Sequence, residues 1–419
     1  MSGVDAVVVG AGPAGAASAI LLTASGWRVM LVEQHSYPRQ KVCGECLTPA
    51  GLALLDDLGV GARVLECAGP ELTQVGWMSQ RPTLIAALPP CLDGPHRYGR
   101  ALGRDTLDAL LLARAAALGV EVVQPAKVRR VDAIAGGFRS EITASRGGGG
   151  RGAGSTRIIE SAHVIDAHGS WEPAPAGSAG ARYTQQRNDL FAFKASFCDA
   201  QMAPGLLPVL SFDGGYGGIV VAENGRLTLA GCIRRDTLHA WRLQRPGISA
   251  GLAMETYLRA SCRGIRDALQ GAKRLDSWLS VGPLRLGLRA TPQEGPFLVG
   301  NAAGEMHPLI GEGMSMALQS AFLLTDLLRR HGPSATDSQQ TRQLRRTYNE
   351  AWRRLFLPKM RVAAAYAHLA MHPAAARPAG ALLCRFPQVL TAAARWAGKS
   401  RVPRVPRVAV PLLIQSGTL

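Results

Sequence analysis

Three groups of residues in this 419-residue chain have the types and spacing to hold a ligand or do chemistry. The first is Gly10, Gly12 and Gly15, the G-x-G-x-x-G of GAGPAGA, with Glu33 roughly 20 residues further on. Gly10 allows a tight turn, Gly12 lets backbone approach a pyrophosphate, and Gly15 lets the next helix pack close to its strand. A helix opening at Ala14 aims its N-terminal N–H groups and positive dipole end at phosphate oxygens. Glu33 stands where a carboxylate accepts ribose hydroxyls; this disfavours a 2′-phosphate and leaves FAD or NAD. The second group lies in residues 300–314, GNAAGEMHPLIGEGM, a loop too rich in glycine for ordinary packing. A helix opens near Met314 and again points its N-terminus at a ligand position. The third is Cys43-x-x-Cys46, a dithiol or half a zinc site. Nothing is placed to complete a zinc site, since His368 and His372 are distant and have no acid nearby, so no metal is expected.

The elements that must position these groups are legible in the pattern. Val7, Val8 and Val9 form the β-branched run of a doubly buried parallel strand. A helix over 14–25 stops at Gly26, and residues 28–32 make the second strand. Thr48 and Pro49 read as N-cap and first position of a helix to residue 58. Arg104 stands just before an amphipathic helix over 105–118, with Leu107, Leu110, Leu111, Ala115 and Leu118 on its apolar face. Residues 128–145 and 157–165 read as strands around the glycine tract 146–154, a hairpin loop, and 164–171 runs from strand into a glycine turn. From residue 190 the pattern alternates, with Phe191, Phe193, Ala195 and Phe197 on one face and a hairpin signal at Asn224-Gly225. An antiparallel sheet over 190–233 is therefore inserted into an α/β chain, followed by a helix over 250–269. Tyr348, Trp352, Leu355 and Phe356 share a core-facing helix stripe, and Pro403, Pro406 and Pro411 mark a non-helical tail.

Hydrophobic content of 47% and a mean hydropathy of +0.06 are globular values. No apolar run reaches the roughly 18 residues of a membrane span, and no secretory signal precedes the first strand, so a cytoplasmic protein, soluble or peripheral to the membrane, is expected. Net charge is +17, and residues 342–407 carry fourteen Lys and Arg against one acid, Glu350. Such a surface reads first as a solvated face in an Arg-favouring composition; it could also meet an anionic membrane or an acidic carrier protein, and no nucleic-acid motif accompanies it, so nucleic acid is disfavoured.

The blocks GAGPAGA with Glu33, Arg104 before its helix, and GNAAG…HPLIGEGM, in this order, resemble the FAD-dependent oxidoreductases of the p-hydroxybenzoate hydroxylase type. That superfamily includes flavin halogenases and geranylgeranyl reductases, and the resemblance spans residues 5–328. The segment PRQKVCGE from Pro38 to Glu45 looks like the P-R-x-K-x-C-G of the reductase and halogenase branch. The resemblance implies an α/β fold: a Rossmann-like FAD-binding domain of the GR2 type, an inserted antiparallel substrate domain and a helical C-terminal region. The expected boundaries are 1–75, 98–185 and 280–330 for the FAD-binding domain, 76–97 and 186–279 for the substrate domain, and 331–419 for the basic region.

By the same resemblance, Gly10, Gly12, Ala14 and Gly15 would bind the pyrophosphate, Glu33 the ribose, and Arg39 and Arg104 would contact FAD. Asn301 stands where the family has Asp toward the ribityl chain, and Pro308, Gly311, Gly313 and Met314 would line the flavin ring. The loop 300–314 thereby supplies a second cradle and favours FAD over NAD. His168 replaces the Asp of the family's Asp-Gly motif, so electrons from NAD(P)H would arrive directly or through a partner flavin reductase. The halogenase Trp-x-Trp-x-Ile-Pro block is absent, and the geranylgeranyl-reductase Tyr-x-Trp-x-Phe-Pro block is only echoed from Gly215 to Val220. The leading expectation is a monooxygenase of secondary metabolism that hydroxylates an aromatic or lipophilic molecule through a flavin C4a-hydroperoxide. His307, beside Pro308, would orient or deprotonate a phenol, and Tyr216 is the second catalytic candidate. A reductase of the geranylgeranyl type and a non-catalytic escort-like binder are the alternatives.

Overall fold

The computed structural model describes residues 3–144, 155–170, 176, 184–289, 294–333, 338–372, 385–386, 388–396 and 410. The glycine tract 146–154, Trp171 and the tail prolines Pro403, Pro406 and Pro411 lie outside the described residues. Two sheets organise the chain. In the first, strands Glu121–Val123, Val29–Val32, Val4–Val9 and Thr156–Asp166 lie side by side and parallel. Val7, Val8, Val164 and Ile165 have no exposed surface, as parallel strands covered on both faces require. The strand Thr156–Asp166 serves two neighbourhoods. Its first half pairs antiparallel with Gly137–Ala144, and its second half pairs parallel with Val4–Val9 and Phe297–Leu298. The register Val9↔Asp166 and Asp166↔Leu298 brings Gly10, Ala167 and Gly300 to one edge, at the C-terminal ends of the strands, where α/β sheets bind ligands.

Helix Pro13–Ala24 is buried over most of its circumference, packed between the sheet and the helices Arg104–Ala117 and Gly313–His331. Small residues on its first turns permit this, while Ile20, Leu21 and Leu22 fill the core. The second sheet runs Lys273–Arg274, Leu190–Cys198, Leu227–Arg234, Gly215–Val221, Leu206–Phe212, Gln74–Met78 and Leu84–Ala87, with Leu279–Val281 beside Leu190–Cys198. Every pairing is antiparallel except Leu206–Phe212 with Gln74–Met78. Asn224 and Gly225 both take positive φ in the hairpin, the conformation that favours this dipeptide. The expected single helix over 250–269 is instead two, Ala250–Ser261 and Arg263–Ala268. Cys262 turns extended between them, and the Arg263 N–H donates to the Ser79 carbonyl rather than continuing the helix.

The long helix Ser338–Met371 touches both units. Tyr348, Trp352 and Phe356 are buried against the first, with Tyr348 donating to the Leu298 carbonyl at 2.8 Å. Ala367 and Ala370 pack under the second sheet beside Tyr216, and Ser211 donates to the Ala370 carbonyl. Arg342, Arg346, Arg353, Arg354 and Arg361 lie on its exposed face. Among the described residues no helix is long and apolar enough to cross a membrane.

Candidate active site

The first glycine loop separates three steric roles. Gly10 has φ +96°, and a Cβ there would stand 2.6 Å from the Ala167 carbonyl oxygen. A Cβ on Gly15 would overlap the Gly10 carbonyl oxygen. Gly12 differs, because its φ of −68° suits any residue and a Cβ would meet only Arg104 Nη2, at 3.6 Å. No protein atom demands glycine there; the open side is the cavity, so a closely approaching ligand explains the residue. Glu33 accepts from the Ala11 N–H at 2.9 Å and the His35 N–H at 2.9 Å, which fixes its carboxylate beside the loop.

Cations converge on this loop. Arg104 is buried and grips Asp108 through Nε and Nη2 at 2.8 and 2.7 Å. Burial opposes its charge, but Asp108 more than offsets this and raises its pKa. Arg39 Nη2 stands 3.8 Å from Glu33, and Arg39 Nε is buried without a hydrogen bond. Lys41, the Lys of the P-R-x-K-x-C-G segment, lines the cavity, and burial followed by repulsion from Arg104 and Arg39 pushes its pKa down to about 8. Mutually repelling cations and the open face of Gly12 both fit a bound pyrophosphate. The signal for Lys41 in the sequence was its place two residues after Arg39 in a glycine-containing loop.

The second loop closes onto the first. Gly300 has φ +59°, and a Cβ there would stand 2.9 Å from Ala14 Cβ. Asn301 donates to Ser170 Oγ at 2.8 Å. Gly311 takes the left-handed conformation after Pro308–Ile310, and the helix Gly313–His331 opens directly behind it. A Cβ on Gly313 would meet nothing within 4 Å, so this helix N-terminus is also open.

Between the loops and the second sheet lies a continuous cavity of about 530 Å3. Gly12, Ala14, Arg104, Asn301, Pro308, Gly311, Gly313 and Met314 line one side, whereas Gly10, Gly15, Glu33 and Arg39 are not in its lining. The opposite wall is apolar sheet, including Phe193, Leu207, Ile219 and Val220, and the helix Gln388–Trp396 closes it with Val389, Leu390, Ala393 and Ala394. Tyr216 lines the cavity, and its hydroxyl lies 2.8 Å from His307 Nδ1. His307 itself is not in the wall and reaches the cavity through Tyr216. Burial drives the His307 pKa down to about 4 and the Tyr216 pKa well above its ordinary value, so both are neutral at pH 7. A neutral imidazole suits acceptance of the Tyr216 proton in a hydrogen bond; the Cys232 thiol is a second hydrogen-bond partner of this hydroxyl, so one of the two lone pairs on the phenol oxygen remains for a ligand. An imidazole this weakly basic orients a phenol rather than deprotonating it.

Two further carboxyl groups line the cavity and were not anticipated, Glu45 and Glu305. Glu45 has φ +56°, is fully buried, and holds Lys194, Thr228 and Arg226 of the second sheet. His168 Nδ1 lies 2.6 Å from Asp166, behind the cavity.

Buried neutral histidines make the fold acid-sensitive. His163 and His307 both sit at about 4, His163 through burial and then Arg345. An unfolded histidine titrates near 6.5, so between about pH 6.5 and 4 the unfolded chain binds protons that the fold refuses. Stability is expected to be unaffected by these residues above pH 7 and to fall by about 3 kcal/mol per histidine as pH drops to 4. Urea unfolding from pH 8 to 4 checks this, and His163→Gln should flatten the slope in that window.

The profile of a family described as an FAD binding domain matches residues 3–187. The chain is 30% identical to 6-methylpretetramide 4-monooxygenase of Streptomyces rimosus over 331 residues, covering 76% of this chain and 73% of the relative. It is 26% identical over 336 residues to the menaquinone reductase of Mycobacterium tuberculosis, covering 77% and 76%. Among solved structures it is similar to the myxobacterial chondrochloren halogenase CndH, at TM-score 0.69 and 18% identity over 93% of this chain and 90% of that one. A geranylgeranyl bacteriochlorophyll reductase-like protein from Thermoplasma acidophilum gives TM-score 0.67 and 18% identity over 85% of each chain.

Proposed function

The chain belongs to the FAD-dependent oxidoreductases of the p-hydroxybenzoate hydroxylase, flavin halogenase and geranylgeranyl reductase superfamily, and within it we propose a monooxygenase that hydroxylates an aromatic or lipophilic small molecule. The observation that carries this reading is the single cavity that joins the two glycine loops to an apolar sheet wall bearing Tyr216. The 30% identical relative, a monooxygenase, supports it.

FAD would lie with its pyrophosphate on Gly12, Ala14, Arg104 and Lys41, its ribose beside Glu33, and its ribityl chain and ring along Asn301 and residues 311–314. When bound and reduced, it supplies electrons that split dioxygen, one oxygen atom entering the substrate and the other leaving as water. The chain's own residues do the rest. The helix N-terminus at Gly313 stabilises negative charge on a reduced ring. Leu390 and Ala394 exclude water from the apolar end. Tyr216, fixed by His307, accepts a hydrogen bond from a substrate hydroxyl and holds the ring in one orientation. Electrons originate from NAD(P)H, directly or through a partner reductase, and the exposed arginine face of Ser338–Met371 is a surface for an acidic carrier or an anionic membrane.

The test is oxygen stoichiometry. With purified FAD-loaded protein, an electron source and candidate phenols, one dioxygen should be consumed per product, and isotope-labelled oxygen should appear in that product. Product formed without oxygen uptake would instead establish the reductase reading, which the menaquinone reductase relatives support. Tyr216→Phe is expected to lower kcat/KM about tenfold while FAD is retained, the size of one lost hydrogen bond. The double variant Tyr216→Phe, His307→Gln should be no worse than Tyr216→Phe alone, because His307 acts through the phenol.

A further inference from the structure

Gly217, Gly218 and Gly231 all line the cavity from its sheet wall, and packing explains two of them. A Cβ on Gly217 would stand 2.6 Å from the Ala230 carbonyl oxygen, and one on Gly231 would stand 2.8 Å from Met254 Cε, in the core under the far face of the sheet. Gly218 faces the opposite way from Gly217, because successive positions of a strand alternate. It pairs in register with Val209 and Ala230, and its φ is not left-handed. A Cβ there would meet only the Pro208 carbonyl oxygen, at an ordinary 3.5 Å. Neither a turn nor packing demands glycine at this position, and a glycine inside a strand weakens it. Close approach of a ligand to the backbone explains the residue. Across the strands, Gly218 belongs to the row Ala230, Gly218, Val209 and Trp77. All four line the cavity and all four are partly exposed. The rows on either side are closed, since Tyr216, Cys232, Val220 and Thr228 are each 2% exposed or less. Tyr216 and Cys232 cluster with Leu309, Val220 clusters with Leu390 and Ala394, and Trp77 packs against both groups. The open row is thus a trough across four strands, about 14 Å long at the spacing of neighbouring strands. Lys194, next in the row beyond Ala230, is buried against Glu45, so the trough carries no free charge.

We propose that this trough seats the substrate and that Gly218 makes the site select flat, fused-ring aromatic compounds, uncharged where they lie on the sheet. This rests on the reading of the cavity as a substrate site, but not on the use of oxygen. A fused ring system covers the bare backbone of Gly218 and the small side chain of Ala230 in one plane, reaches the indole of Trp77, and loses no internal rotation on binding. A flexible chain of the same carbon count must give up internal rotations and does not lie flat along the whole row. Tyr216 borders the trough on the side of Pro308–Ile310, which packs against Gly215–Val221, so a hydroxyl on the ring reaches the phenol oxygen from this seat.

The experiment measures binding without turnover, so an enzyme that uses no oxygen can pass it and a monooxygenase can fail it. The FAD-loaded, oxidised protein is titrated anaerobically with 2-hydroxyanthracene, with 4-(2-phenylethyl)phenol, which has the same carbon count and one hydroxyl but is not flat, and with farnesol. The native protein should bind 2-hydroxyanthracene about tenfold more tightly than either of the others. Gly218→Ile places a strand-favouring side chain where its Cβ fits, and it should bring the three affinities within about twofold while flavin is retained. Equal affinities in the native protein, a preference for farnesol, no binding of any probe, or a preference that survives in Gly218→Ile would overturn the proposal. Photolabelling of the native protein with 2-azidoanthracene gives a reading that needs no variant. The label should fall within residues 74–78 or 206–234, and labelling confined to other segments would also overturn it.

Discussion

A Gly12→Thr protein is expected to fold and melt within about 1 kcal/mol of the native chain and yet emerge from purification without flavin. Gly12 is the N-cap of Pro13–Ala24, its backbone is extended, and threonine caps helices about as well as glycine. The added Cβ meets only the tip of Arg104, at 3.6 Å. The same atoms would stand where backbone must approach a pyrophosphate. Gly15→Ala makes the contrast. Its Cβ would overlap the Gly10 carbonyl oxygen and press Ala167 Cβ at 3.1 Å, and both neighbours are held by the sheet. A loss of about 3 kcal/mol or more, or no soluble protein, is expected there. Visible absorbance and thermal unfolding of the two variants separate the effects. Full flavin content in Gly12→Thr would remove the pyrophosphate assignment from this loop.

Glu45→Leu is expected to destabilise the protein by about 3–5 kcal/mol, and adding Lys194→Met should restore most of that loss. Lys194 is 1% exposed on the central strand Leu190–Cys198, and Glu45 is fully buried on the cofactor-side segment. Removing the carboxylate strands an ammonium that burial has cut off from water. Arg226 suffers less, because it also holds Glu223, which in turn accepts from the Gly103 N–H at 2.9 Å, just before the Arg104 helix. Replacing both charged partners by apolar groups removes the penalty at its source. Denaturant unfolding of the two single variants and the double measures the coupling. Single-variant losses below about 1 kcal/mol would show that water reaches the pair. Flavin affinity should follow stability here, since Lys41, Cys43 and Cys46 of the same segment line the cavity.

The amino-acid sequence by itself determined the features that local sterics and periodicity dictate. A β-branched run, three glycines and a small-residue helix permit one close-packed turn, and Gly10 and Gly15 meet backbone where that turn requires. Alternation at Phe191, Phe193 and Phe197 and the Asn224-Gly225 dipeptide likewise carry their sheet and hairpin within a few residues. Tertiary structure alone decided how distant residues meet. Lys194 and Glu45 are 149 positions apart, and Tyr216 and His307 are 91 apart. Glu45 and Glu305 fall within the segments PRQKVCGE and GNAAGEMHPLIGEGM, but no periodic pattern shows which acid of such a loop meets which partner until the two sheets are brought together. The same packing placed His307 behind Tyr216 rather than in the wall, and it broke the helix at Cys262, where Ser79 supplied a better partner for the next N–H. Pairings of this kind depend on which surfaces burial of apolar area forces into contact, and that is a property of the whole chain rather than of any stretch of it.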